Sequence, residues 1–440
     1  ALPICTTGSG TVVASGATLD LNGFTLGTAE ALTLNGTGVG GTAGALTNSA
    51  AGAATYSGLV TLGSASSVVA SNGNLVLSNT GTITGATFGL TLGGTNSASS
   101  IASIIGTTTG TLTKVGSGTW TLGGTASNTY SGLTTVSAGT LNLNKTAGQD
   151  AIAGNLTVSG GSVVLQAANQ LNNASNVVVS GGTLDIAGFS DTVAGVQITS
   201  GNINGSGGTL TSSSAFDLQA GAVSAILGGT AGANKTGAGT ITLSGSNTYT
   251  GTTTISAGTL AYGASNVLAT SAVTVSGATA VLALGNNQSD SVGTVTLPNG
   301  GSITGTGTSA LTSTGSFELQ DGSVSAILAG SGIGLNKTGA GTVTLTGANT
   351  FSGATTLGAG VLNANASAAL GDGSATNTLI FTGGTLQAGG TITSPGTRGV
   401  TLTSTGVIDS NGNAVSIAGV MSGAGGLTKN GSGTLTLSGA

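Results

Sequence analysis

Apolar and polar residues alternate along most of the chain in short bursts. In Thr240-Ile-Thr-Leu243, Ala272-Val-Thr-Val275, Thr294-Val-Thr-Leu297 and Val400-Thr-Leu402, β-branched residues or leucine take every second place and Thr or Ala the places between. A period of two is the mark of a half-buried strand, with Ile241 and Leu243 facing one way and Thr240 and Thr242 the other. Clusters of Gly, Asn and Ser break the alternation every few residues, as tight turns require. No stretch has sustained helical periodicity. Short strands that return roughly every 20 residues predict the coils of a solenoid, and so an all-β chain folded as a parallel β-helix.

A longer repeat is laid over this beat. The chain reads KVGSGTWTLGG from Lys114, KTGAGTITLSG from Lys235, KTGAGTVTLTG from Lys337 and KNGSGTLTLSG from Lys429. A second phrase follows the first three copies: Asn128-Thr-Tyr130-Ser-Gly132, Asn247-Thr-Tyr249-Thr-Gly251 and Asn349-Thr-Phe351-Ser-Gly353. A third comes at once, TTVSAGTL from Thr134, TTISAGTL from Thr253 and TTLGAGVL from Thr355. The expected organisation is one continuous solenoid over 1–440, with super-repeats near 1–113, 114–234, 235–336, 337–428 and a partial 429–440.

Stacking explains the composition. Coils about 4.8 Å apart place each residue over its counterpart, so a charged column would repel itself, whereas Thr, Ser and Asn can form ladders. The chain has only six Lys or Arg and eleven Asp or Glu, with 84 Gly for the corners. The same counts exclude several chemistries. Without His there is no Ser-His-Asp triad and no imidazole ligand. One Cys allows neither a thiolate zinc cluster nor an intrachain disulfide. A net charge of −5 argues against nucleic acid as a partner. The longest strictly apolar run, Ala280 to Leu284, is far short of the ~20 residues of a membrane helix. Seven Phe, four Tyr and one Trp are too few for the aromatic girdles of a membrane barrel, so no membrane insertion is expected. Three Pro exclude collagen, and the low charge fits poorly with disorder.

The phrases K-x-G-[AS]-G-T-x-T-L, N-T-[YF]-[ST]-G and T-T-[VIL]-[SG]-A-G-[TV]-L resemble the passenger-associated transport repeat of bacterial autotransporter passengers and related large surface β-helix proteins. The resemblance covers Lys114 to Leu141, Lys235 to Leu260, Lys337 to Leu362 and a truncated copy from Lys429. It implies a right-handed parallel β-helix and export to the surface of a bacterium, but no particular activity, because such passengers include adhesins, matrix proteins and proteases. The translocator barrel of that family is not among these residues.

Candidate chemistry is sparse. Asp217, Glu318 and Asp409 precede Lys235, Lys337 and Lys429 by close to one coil, which predicts three structural ion pairs between neighbouring coils, each worth about 0–1 kcal/mol if exposed. A polysaccharide lyase or hydrolase would need clustered carboxylates with a basic partner. Glu318 with Asp321 and Asp185 with Asp191 lack that partner, and Arg398 is the only Arg, so no catalytic site is expected. Asp does not recur at the beat of a calcium-binding roll, and Gly371-Asp372-Gly373 reads as a turn, so no metal site is expected either. Gly237-Ala-Gly239 lacks the helix and GK[ST] of a phosphate loop, and no cofactor is expected. Trp120 stands where the other copies have Ile241, Val343 and Leu435, which makes it a strand residue. Phe351 replaces Tyr130 and Tyr249, so their hydroxyls do not carry the motif. Tripeptides such as Asn155-Leu-Thr157 are what chance supplies in so polar a chain.

The two ends share a repeat phase: the first coil, from Val12 to Leu21, resembles the phrase that would follow Leu437. Val12, Val13, Leu19 and Leu21 of one copy packing against Leu435 and Leu437 of another would give a head-to-tail filament. A secreted structural subunit of this kind is the first functional expectation. The alternative is a monomeric adhesin or stalk displaying a binding tip, a segment of a longer passenger, with cell surfaces or glycans as partners. Cys5 would be a free thiol or an intermolecular partner, and a start at Ala1 is expected of a cleaved leader or a trimmed piece.

Overall fold

The computed structural model describes residues 10–26 and 28–439, which leaves Cys5 outside the described residues. Strands of a few residues stack in parallel at about 21 residues per coil, so the chain is the all-β solenoid that the alternation predicts. It forms two compact units, one of the residues up to Ser214 together with Gly221–Gly228, the other of Ala215–Ala220 together with the residues from Gly229 onward. The only helical elements among the described residues are the short 3₁₀ turns Val39–Gly41 and Ser367–Leu370.

Each unit repeats two well-formed faces. In the first unit Leu90–Gly94, Leu112–Lys114, Thr134–Val136 and Leu156–Val158 stack as one face. Ser99–Ile101, Thr119–Leu122, Thr140–Leu143 and Ser162–Leu165 stack as the next. The second unit has the same faces, for example Ala233–Lys235, Thr253–Ile255 and Val273–Ser276 beside Thr240–Leu243, Thr259–Tyr262 and Val281–Asn286. Inward positions such as Ile241, Leu243, Leu260 and Val275 are fully buried, and each contributes about 1.5–3 kcal/mol of apolar burial. Outward positions form the expected ladders: Thr91, Thr113, Thr135 and Thr157 lie one over another.

A third face is discontinuous. Thr82–Ile83 pairs with Ile104–Ile105, and Asp191–Val193, Thr209–Ser212 and Ile226–Gly228 form a separate sheet. In the second unit Ser289–Val292, Ala310–Ser313 and Ile327–Ala329 form one sheet, and Ile392–Ser394, Val415–Ile417 and Leu435–Leu437 another. Where the phrase N-T-[YF]-[ST]-G falls, this face has no strand.

The glycine of the third phrase is fixed by close approach. Gly139, Gly258 and Gly360 have φ of +63°, +62° and +63°, in the left-handed region. A Cβ on Gly258 would lie 2.5 Å from the carbonyl oxygens of both Gly237 and Gly239, one coil earlier. We expect Gly258→Ala to cost about 1 kcal/mol or more for the backbone conformation, with the steric contact added. Gly426→Ala, with only the Thr405 hydroxyl within 4 Å at 3.8 Å, should be close to neutral. Denaturant midpoints of the two variants provide the check.

Candidate functional site

The repeated lysine points into the core. Lys114 lies between Leu92 and Val136 in the inward column of the first face, Lys235 between Leu218 and Ile255, and Lys337 between Leu319 and Leu357. All three are fully buried. An ammonium group in such a column must find acceptors in the backbone, and it does. The Lys114 ammonium donates to the carbonyls of Val115 (2.9 Å), Gly116 (2.8 Å) and, in the next coil, Ala138 (3.1 Å). Lys235 donates to Gly237 and to Ala257 at 3.0 Å, and Lys337 to Gly339 and to Ala359 at 3.0 Å. The side chain ties its own turn to the turn one coil later, where the left-handed glycine sits. Burial pushes Lys114 and Lys145 down to about 8. It pushes Lys235 and Lys337 in the same direction, opposed by the charges of Asp217 and Asp321.

The register offsets the expected acid–lysine pairs by one residue. Asp217 stands in register with Asn234, Glu318 with Asn336 and Asp409 with Asn430, each one residue away from Lys235, Lys337 and Lys429. One residue along a strand reverses the face, so the acids point outward while Lys235 and Lys337 point inward. Asp217 accepts from Thr236 (2.6 Å) and Gln219 (2.9 Å), Glu318 from Asn336 (2.7 Å) and Asp409 from Gln387 (2.9 Å). Lys429 is exposed but still donates to the carbonyls of Asn430 (3.0 Å) and Gly431 (2.6 Å).

The asparagine of the second phrase closes the interrupted face. The Ile105 amide, on the last strand before the gap, donates to Asn128 Oδ1 at 2.8 Å, and Asn128 Nδ2 donates to the Ala151 carbonyl at 2.7 Å. Asn349 likewise accepts from Leu328 (2.8 Å) and donates to Ala369 (2.6 Å), and Asn247 donates to Val267 (2.6 Å). The amide side chain thus stands in for a missing strand and satisfies an edge that would otherwise be open. Aspartate does the same from the other side of the gap. Asp191 accepts from the amides of Gln170 (2.7 Å), Leu171 (3.0 Å) and Thr192 (2.8 Å), and Asp290 from Leu268 and Ser291, both 2.8 Å. Gln170 bridges back to the amide and carbonyl of Lys145 (2.8 and 3.2 Å). Arg398, buried, donates to Asn377 (2.9 Å), Ser367 and Gly371 (2.9 Å), pinning the loop around the second 3₁₀ turn.

Tyr130 and Tyr249 bond through their hydroxyls to the buried Thr134 (2.6 Å) and Thr253 (2.7 Å) of the third phrase. Phe351 is tolerated because Thr355 turns instead to the Leu370 carbonyl at 3.4 Å. The rings keep their neighbours: Phe216 and Tyr249 lie 6.2 Å apart, Phe317 and Phe351 5.9 Å. Trp120 is a buried strand residue whose indole N–H donates to the Gly93 carbonyl at 2.9 Å. The residues expected to join copies end to end are dispersed in character. Val12 and Leu437 are exposed, Leu19 and Leu435 half-buried, and Val13 and Leu21 buried in their own coil.

These anchors coincide with a known family. The model of the Passenger-associated-transport-repeat matches residues 112–143, 234–261, 335–364 and 427–440. Four segments of the chain match the passenger-associated-transport-repeat. It is also 36% identical over 239 residues to the adhesin BmaC autotransporter of Brucella suis biovar 1 (strain 1330), a match that covers 48% of this chain and 7% of that relative. The resemblance to autotransporter passengers is thereby borne out. No solved structure matches the chain. The first three matched segments each contain the lysine, the capping asparagine and the left-handed glycine, and the fourth the lysine alone, so the spacing follows from which carbonyls and amides one coil presents to the next. Among the described residues no group of three or more acidic or Cys side chains could hold a metal ion.

Two outcomes are expected from these anchors. Lys235→Met leaves buried carbonyls without a donor and should lower stability by about 1–3 kcal/mol, whereas Asp217→Asn, on the outer face, should change it by less than about 1 kcal/mol. Guanidinium titration distinguishes the two. Asp191 is raised to about 6 by burial, which outweighs the three amides that favour its charged form. Its folded value therefore lies above the unfolded one, and the native state binds the extra proton between about pH 4 and 6. The stability it contributes is present below about pH 4 and lost as pH rises through about 6. The difference in denaturant midpoint between the parent chain and Asp191→Asn should vary with pH across that window and be flat above it.

Proposed function

We propose that the chain is a shaft segment of an adhesin of the autotransporter type, a non-enzymatic, secreted β-helix that carries binding surfaces away from a bacterial cell. The observation that carries this reading is the similarity to the adhesin BmaC autotransporter. The chain spans 7% of that relative's length, so the whole relative's adhesion is extended to this chain only as part of the proposal. The anchors support it physically: a passenger shaft has to hold its register over many coils with little charge, and buried lysine and asparagine bridges supply fixed points.

The head-to-tail filament through Val12, Val13, Leu19, Leu21, Leu435 and Leu437 is less well supported. The family and relative matched are a passenger repeat and an adhesin rather than a filament subunit. On the adhesin reading the purified chain is a monomer of 40.7 kDa by light scattering at micromolar concentration. Polydisperse fibres in negative-stain images would overturn the stalk and restore the filament.

A further inference from the structure

The interrupted third face leaves a cleft at each gap. One is lined by Asn247–Thr250 and 268–271, another by residues around Asn349, Asp372 and Arg398. The most polar, of about 470 Å³, is lined by Gly148, Asp150, Asn169, Asn172, Asn173 and Thr192 in the first unit. Its volume falls within the roughly 300–1,000 Å³ usual for small-ligand sites.

We infer that this cleft is a binding site for a neutral saccharide, a function separate from the mechanical role of the shaft. The inference rests on which ligands its chemistry refuses. Among the described residues no basic side chain lines the opening: Lys145, the nearest basic residue in sequence, turns inward to the Gly123 carbonyl at 2.9 Å, so a phosphate, sulfate or carboxylate has no counter-charge there. A metal cation is disfavoured as well. Asp150 is the one carboxylate lining the cleft, and the Asn172 amide already donates to its Oδ2 at 2.7 Å. The Asp191 carboxylate is buried beneath and saturated by three backbone amides. Apolar side chains are missing from the lining, which leaves nothing to hold a lipid or an apolar peptide.

What remains is a ligand rich in hydroxyls. Amides and a carboxylate offer donors and acceptors side by side, the arrangement that engages the vicinal hydroxyls of a sugar. Part of the lining is fixed in advance. Asn172 is held between Asp150 and the Ala174 amide, whose N–H donates to Asn172 Oδ1 at 2.9 Å. Asn169 is held in a left-handed turn at φ 53°, with its backbone amide donating to the Ser190 carbonyl at 3.1 Å. The side-chain amides of Asn169 and Asn173 have no protein partner among the described residues and so stay available to a ligand.

The test uses the full chain on an array of neutral galactose-, glucose- and mannose-based oligosaccharides, with sialylated and sulfated oligosaccharides beside them. Calorimetry with the strongest neutral binder then compares the parent chain with Asn169→Gly/Asn173→Ala, in which glycine keeps the left-handed turn. The expected result is binding of a neutral oligosaccharide, weakened at least tenfold in the double variant with an unchanged melting temperature. Absence of neutral binding, binding confined to the sialylated or sulfated probes, or equal affinity in the double variant would each overturn the inference. None of these results depends on whether the chain is a monomer or a fibre, so the adhesin-shaft reading stands or falls separately.

Discussion

Every coil is both roof and floor to its neighbours, so a polar group that enters the interior must find its partners in its own coil or in one beside it, most often in the backbone. The rest of the structure follows from that constraint. Lysine is admitted where two consecutive turns offer carbonyls to one ammonium. Asparagine is admitted where a strand is missing and its amide can copy the lost pairing. Aspartate is admitted where three backbone N–H groups converge, at the cost of a raised pKa. Arg398 is admitted where Asn377, Ser367 and Gly371 surround its guanidinium, whereas Asp217 and Glu318 stay on the outer face bonded to Thr, Asn or Gln.

The coil was legible in the sequence because two signals agreed. Alternation such as Thr240 to Leu243 requires a strand with one buried face, and glycine at fixed offsets requires a turn that comes back to the same place. The recurrence of lysine was equally visible, but its direction was not. Spacing near one coil suggested an acid above each lysine, yet coil length is not constant, 17 residues from Leu218 to Lys235 but 24 from Leu357 to Phe381, and a slip of one exchanges inside for outside. Strand parity gave the better clue: Lys114, Lys235 and Lys337 each occupy the same phase as the buried aliphatic residues beside them.

The third face was hidden for a different reason. Its strands are two to four residues long and share their Thr, Ser and Ala content with the turns, so composition cannot separate sheet from gap. The recurring Asn128, Asn247 and Asn349 did mark the gaps, since the asparagine is kept where Tyr gives way to Phe. Gln170, Asp191, Asp290 and Arg398 do not recur at matching places, and only the folded chain reveals that they do similar work. Interruption of this face also separates the two roles of the surface. The continuous faces hold the coils together, and at one gap the side chains of Asn169 and Asn173 line an open cleft.

The lysine bridge also bears on the order of events during folding. Each ammonium group divides its bonds between its own turn and the turn that comes one coil later, at Ala138, Ala257 or Ala359. Until that second turn is laid down, the charge remains partly in water and the first turn has no cross-link. An anchor is thus complete only when two successive coils are both in their native places. Peeling the later coil away therefore breaks the ammonium's bond to that coil's turn and returns part of its charge to water, so each lysine couples the stability of one coil to that of the next.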